Sequence, residues 1–113
     1  MITRGDLYWT IKMRLTELDP HWCSTGGKGI TDKDGKPVPL REKIGLVCDC
    51  PRCGPDHPLF VPFANPFDGG APRYEVTWQR TGDAFETLTL RPSILRNDCG
   101  WHGFITNGAV ETV

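Results

Sequence analysis

The sequence predicts a mainly β fold, built as a small antiparallel sheet or a barrel-like structure. Thirteen glycines and ten prolines punctuate the 113 residues, so long helices have little room. Between these breaks the apolar residues mostly alternate with polar ones, which is the period of a half-buried strand. A chain of this length normally forms one domain around one modest core. We therefore expect residues 1–113 to be a single domain.

The first predicted strand runs from Leu7 to Leu15, because apolar and polar side chains alternate along it. The segment 24–39 follows and has almost no apolar residue. It contains several glycines and the turn sequence 32–35, Asp-Lys-Asp-Gly. This composition predicts a flexible loop.

The middle of the chain holds two less regular segments. Residues 40–47 can form a short helix or a strand. Residues 59–63, Leu-Phe-Val-Pro-Phe, predict a strand. Pro62 confines that strand to a sheet edge, because proline has no backbone N–H to donate to a neighbouring strand.

Two hairpins are predicted in the second half of the chain. Residues 74–79 and 87–90 alternate as strands, and the turn at 81–83 joins them. Residues 102–113 predict a closing hairpin. Its turn falls at Asn107-Gly108, a pair typical of two-residue hairpin loops.

The charge balance excludes some classes of partner. Thirteen Lys and Arg stand against 14 Asp and Glu, a net charge of -1, so no basic surface for nucleic acid or membrane is expected. No apolar run approaches the roughly 20 residues of a membrane span, and the N-terminus lacks the apolar stretch of a signal peptide. We expect a cytoplasmic protein whose partner is another protein.

Two clusters of cysteine and histidine give the strongest functional signal. They are Cys48, Cys50, Cys53 and His57, and then Cys99 and His102. A Cys-x-x-Cys turn lets two thiolates face a common centre, and a distant second group completes a tetrahedron, so the spacing indicates Zn²⁺. An odd number of cysteines with this spacing fits a reducing compartment better than a set of disulfides.

The favoured ligand set is Cys48, Cys50, Cys53 and Cys99. Four thiolates form a closed site that stabilises the fold and does not activate water. One alternative replaces Cys48 with His57, and another uses His102. Cys23 lies outside any ligand spacing and is interpreted as a small core residue.

A serine and a histidine near the second cluster form a candidate nucleophile and base. Ser93 follows Pro92 just after a predicted strand, and His102 comes three residues after Cys99. An imidazole beside a serine hydroxyl is the minimum unit of nucleophilic catalysis. The alternative is that Ser93 caps a turn and His102 is a core residue or a ligand. Asp56, Asn97 and Asp98 are candidates to orient the imidazole, and the spacing selects none of them.

Three motifs together resemble a known family: Cys-x-Cys-x-x-Cys-Gly from Cys48, Leu-Arg-Pro-Ser-Ile from residue 90, and Cys-x-x-His-Gly-Phe-Ile-x-Asn-Gly from Cys99. The family is a small bacterial and phage domain long catalogued as of unknown function. Its members occur beside ubiquitin-like proteins and E1-like and E2-like enzymes, and the family has been viewed as a peptidase. The resemblance covers roughly residues 47–110. It implies that Ser93 and His102 are the catalytic serine and histidine.

Three functional hypotheses follow. The first is a zinc-stabilised serine hydrolase, a peptidase or deconjugase that processes the C-terminal tail of a ubiquitin-like protein. The resemblance supports it more than the spacing does. The second is a metallopeptidase in which His102 binds a catalytic zinc and Asp98 moves the proton. The third is a non-catalytic, zinc-ribbon-like module that binds a partner protein, for which Ser93 is dispensable.

Overall fold

The computed structural model describes residues 12–72 and 74–113, and these residues form a mainly β structure, as predicted. Their strands are β1 (Lys12–Arg14), β2 (His21–Thr25), β3 (Arg41–Cys50), β4 (Gly54–Pro62), β5 (Gln79–Thr81), β6 (Thr89–Leu95), β7 (His102–Thr106) and β8 (Ala109–Thr112). A 3-10 helix, Leu15–Leu18, follows β1. Within these ranges the strands form two antiparallel sheets, and neither closes into a barrel.

The larger sheet has the strand order β1-β8-β7-β6-β5 in the described part of the chain. Strands β7 and β8 form the closing hairpin predicted from the sequence. Asn107 and Gly108 occupy its turn with φ angles of 48° and 77°. Two positive φ angles are what a type I′ turn requires, which explains the Asn-Gly pair.

The other predicted hairpin is present, but its strands have different bounds. Strand β5 pairs with β6 from Gln79↔Arg91 to Thr81↔Thr89, whereas the alternation in the sequence had predicted a strand from Tyr74. The Trp78 amide instead donates to the Pro62 carbonyl at 2.9 Å. The chain before Gln79 is therefore held against the end of β4, outside the hairpin.

The smaller sheet has the order β2-β3-β4. Residues 41–50 form its central strand, which decides between the two alternatives for the segment 40–47. Strand β4 lies at an edge and ends at Pro62, as the missing N–H of proline predicts.

Buried side chains from both sheets form one core cluster. Its members are Leu15, Leu18, Leu46, Cys48, Cys50, Leu59, Val61, Phe63, Leu88, Leu90, Ile94, Trp101, Ile105 and Val110. An aromatic group extends this core: Trp22 stacks on Phe85 with ring centroids 4.2 Å apart, and Phe67 contacts the Trp22 ring edge-on at 4.9 Å. Burial of each large apolar side chain contributes about 1.5–3 kcal/mol.

The first predicted strand and the polar segment 24–39 lie in the N-terminal part of the chain. The predicted strand Leu7–Leu15 is described only from Lys12, and its earlier residues lie outside the described part. Within 24–39, the first two residues belong to β2, and the Gly27 amide donates to the Val38 carbonyl at 2.9 Å. The flexibility of this segment stays a prediction.

In the described residues there is no helix of sufficient length and apolarity to span a membrane.

A pair of glycine substitutions tests the packing of the closing turn. A Cβ on Gly108 would lie 2.4 Å from the Glu86 carbonyl oxygen, whereas a Cβ on Gly35, at nearly the same φ, would meet nothing within 4 Å. Gly35→Ala should cost about 1–2 kcal/mol from the left-handed backbone alone. Gly108→Ala should lower the free energy of unfolding further. Urea denaturation measures both values, and equal losses would contradict the packing.

Candidate functional site: a serine–histidine pair beside three cysteines

An irregularity in the pairing of β6 and β7 determines where Ser93 lies. Leu90 pairs with Ile105 and Ile94 pairs with Gly103, so residues 91–93 of β6 lie opposite one residue of β7. Such a bulge turns side chains away from their regular direction. Ser93 therefore lies inside β6; the expectation that it follows a strand was wrong, because pairing with β7 resumes beyond Pro92.

His102 is the first residue of β7, and its cross-strand partner is Leu95. Its Nε2 lies 2.9 Å from the Ser93 Oγ, and both side chains are half-buried. With the ring proton on Nδ1, the imidazole accepts the serine hydroxyl hydrogen at Nε2. This is the geometry in which a histidine can act as base for a serine nucleophile.

A third group that would orient the imidazole is absent from the described residues. Asp98 hydrogen-bonds to Arg96, with Arg96 Nη2 donating to Asp98 Oδ2 at 3.4 Å. Neither Asp56 nor Asn97 hydrogen-bonds to the ring of His102 in this part of the chain.

The loop between Ser93 and His102 closes on itself. The Arg96 amide donates to the Trp101 carbonyl at 2.7 Å, and the Gly100 amide donates to the Arg96 carbonyl at 2.8 Å. Trp101 is 3 % exposed, and its Nε1 donates to Thr112 Oγ1 at 2.9 Å. These contacts fix the position of Cys99, which lies in the same loop.

Cys50, Cys53 and Cys99 bring their sulfur atoms together within 4.8 Å of one another. Cys50 ends β3, Cys53 lies in the turn to β4, and Cys99 comes from the loop beside Ser93. The Cys50 and Cys99 sulfurs are 3.7 Å apart. A tetrahedral site with metal–sulfur bonds of about 2.3 Å has sulfur–sulfur edges of about 3.8 Å, whereas a disulfide bond is about 2.05 Å. The three cysteines can therefore bind a metal ion.

The thiols of this group affect one another's ionisation. Burial raises the pKa of Cys50, but the backbone amides of Cys53 and Arg52 and the neighbouring thiols more than offset this, and its pKa lies below the ordinary value. The hydrogen bond with Cys99 is the largest cause that raises the pKa of Cys53, to about 11.

The other predicted ligands lie outside this group. Cys48 pairs with Leu59 and is 2 % exposed in the core; burial is the main cause that raises its pKa to about 12. It precedes Cys50 by two strand residues, a separation of about 6.6 Å, which explains why the sulfurs do not converge. His57 and His102 do not join the group either. The set with Cys48 as fourth ligand stays a prediction.

Arg96, the residue after β6, links this part of the chain to β4, and no motif in the sequence marks it. Its Nη1 donates to the backbone carbonyls of His57 at 2.6 Å and Pro58 at 3.0 Å. Its side chain is 14 % exposed. Burial lowers the pKa of Arg96, but the hydrogen bond to Asp98 and the charge of Cys50 raise it above the usual value. A lone arginine after a strand gives no signal of these backbone acceptors.

The fold and site thus define a mainly β domain that carries a serine–histidine pair next to a three-cysteine group. Residues 30–113 match the BubE family, described as bacterial ubiquitination-like system serine protease, and the chain belongs to this family. The match confirms the resemblance found in the sequence and extends it to part of the polar segment before β3. Searches of curated proteins and of solved structures gave no match.

The cysteine group can be tested with a spectroscopic metal. Cobalt(II) bound by thiolates gives an absorption band that free cobalt lacks. Cys99→Ser should weaken or abolish this band because it removes one of the three converging sulfurs. Cys23→Ser is the matched control and should keep the band, since Cys23 lies on β2 outside the group. Loss of the band in Cys23→Ser alone would contradict the assignment.

Proposed function

We propose that the protein is a serine hydrolase that cuts a peptide or ester bond at the C-terminal tail of a ubiquitin-like protein. Ser93 is the nucleophile and His102 the general base. The contact of 2.9 Å between Ser93 Oγ and His102 Nε2 carries this proposal. The family description, a serine protease of a bacterial ubiquitination-like system, supports the reaction type and a protein substrate.

The reaction proceeds by acyl transfer in two stages. His102 takes the hydroxyl proton while Ser93 Oγ attacks the substrate carbonyl. The tetrahedral intermediate then collapses as His102 gives the proton to the leaving amine or alcohol, and the acyl group stays on Ser93. In the second stage His102 takes a proton from water, the resulting hydroxide attacks the acyl group, and Ser93 recovers its proton from His102.

The position of the pair favours a polypeptide substrate. Ile94, between Ser93 and Leu95, is 2 % exposed and points into the core, whereas Leu95 is 56 % exposed. Ser93 is half-buried and its hydroxyl contacts His102, whose cross-strand partner is Leu95, so Ser93 lies on the outer face of the sheet with Leu95. An open sheet face can accept an extended chain.

We propose zinc as the metal of the three-cysteine group, with a structural role. When bound, it would cross-link β3 to the loop that joins Ser93 to His102. Thiolate ligands suit zinc, and a fourth thiolate, as in the predicted set with Cys48, would close the site so that it does not activate water. The hydrogen bond between His102 and Ser93 supports the serine mechanism over a metallopeptidase in which His102 binds the metal.

Substitution of the serine separates the hydrolase from a non-catalytic binding module. The chain has two serines, Ser24 and Ser93, so Ser24→Ala is a matched control. Ser93→Ala should lower cleavage of a C-terminally extended ubiquitin-like protein on the order of 10⁴- to 10⁶-fold and abolish labelling by a fluorophosphonate. Ser24→Ala should retain both. Unchanged cleavage by folded Ser93→Ala protein would refute the proposal.

Substitution of the histidine separates the serine mechanism from a metal mechanism. His102→Ala should lower the rate about 10²- to 10⁴-fold through loss of the base, and it should leave the zinc content of the purified protein unchanged. His57→Ala should change neither quantity greatly, because the exposed His57 side chain lies outside both groups. Loss of zinc together with activity in His102→Ala would favour the metallopeptidase.

A further inference from the structure

Two exposed apolar side chains flank His102 on the outer face of the larger sheet. Leu95 is 56 % exposed and Val113 is 71 % exposed. We propose that they bind an apolar side chain of the substrate on the leaving-group side of the scissile bond. This inference rests on the proposed roles of Ser93 and His102. The same site would select a side chain of the substrate on the leaving-group side of the scissile bond.

The pairing of three neighbouring chain segments places these residues in one row. Leu95 is the cross-strand partner of His102 on one side. On the other side the Val113 amide donates to the His102 carbonyl at 2.8 Å, in continuation of the pair Gly103↔Thr112. Directly opposed residues have Cβ atoms about 4.5–5.5 Å apart on the same face. The imidazole therefore lies between two apolar side chains.

The proton transfer determines which half of the substrate meets this row. The ring nitrogen that receives the Ser93 proton must return it to the leaving group. The leaving group must therefore lie beside His102, in the row of Leu95 and Val113. The acyl group is bonded to Ser93 Oγ and remains after the leaving group departs.

The strand spacing gives the position of the selected residue. Leu95 follows Ser93 by two residues of β6, a rise of about 6.6 Å. An extended substrate covers the same distance in about two residues. The first or second residue after the scissile bond thus lies against Leu95. A leucine, valine or isoleucine there would remove apolar surface from water, whereas an aspartate would lose hydration without a partner.

Three substrates that share one acyl segment test this assignment. Two are peptides with leucine or aspartate as the first two residues after the scissile bond. The third is a methyl ester, whose leaving group, methanol, has no side chain and is too small to reach Leu95. Wild-type protein should prefer the leucine peptide over the aspartate peptide. Leu95→Thr replaces leucine with a β-branched residue that suits a strand, and it should lower the ratio of leucine-peptide to ester turnover about tenfold.

Ile30→Thr is the matched control, because Ile30 is 49 % exposed in the loop before β3, away from the pair. It should leave the ratio at the wild-type value. An equal loss on all three substrates in Leu95→Thr, or a leucine preference that persists, would overturn the inference and leave the serine mechanism intact. If wild-type protein turns over no substrate and Ser93 resists the fluorophosphonate, the proposed function fails as well.

Discussion

The antiparallel pairing of β6 with β7 is the constraint on which the site depends. Ser93 and His102 are nine residues apart, and the loop between them closes through backbone hydrogen bonds around Arg96. The irregular stretch 91–93 then directs Ser93 Oγ towards the imidazole. Paired residues on both sides, Leu90 and Ile94, hold Ser93 in place, which would reduce the reorganisation required of it as the proposed nucleophile.

We propose that a metal bound by the cysteine group secures this arrangement from outside the larger sheet. Cys50 and Cys53 come from the smaller sheet, and Cys99 comes from the loop between the two site residues. Arg96 adds a second connection through the carbonyls of His57 and Pro58. A domain of this size has a small core, and a metal cross-link is one of the usual ways to stabilise it. On this proposal the metal and the serine–histidine pair are neighbours with separate tasks.

Local patterns predicted much of this architecture. The Asn-Gly turn, the edge position of β4 and the converging Cys50 and Cys53 depend on backbone chemistry within a few residues, so the sequence indicates them directly. The strand position of Ser93 depends on which residues of β7 lie opposite it, and Cys48 is separated from Cys50 by strand geometry. The contacts of Arg96 are with backbone carbonyls about forty residues away, and no side-chain pattern records such acceptors. Each of these three features depends on strand pairing or on contacts between residues distant in the sequence, which local patterns do not record.

A crystal structure of the metal-loaded protein after reaction with a fluorophosphonate would show whether Ser93 and His102 act together beside the metal. We expect phosphorus bonded to Ser93 Oγ, His102 Nε2 within hydrogen-bonding distance of the phosphonylated oxygen, and the metal on Cys50, Cys53 and Cys99. A structure with His102 bound to the metal and Ser93 unmodified, on a strand remote from that histidine, would contradict it.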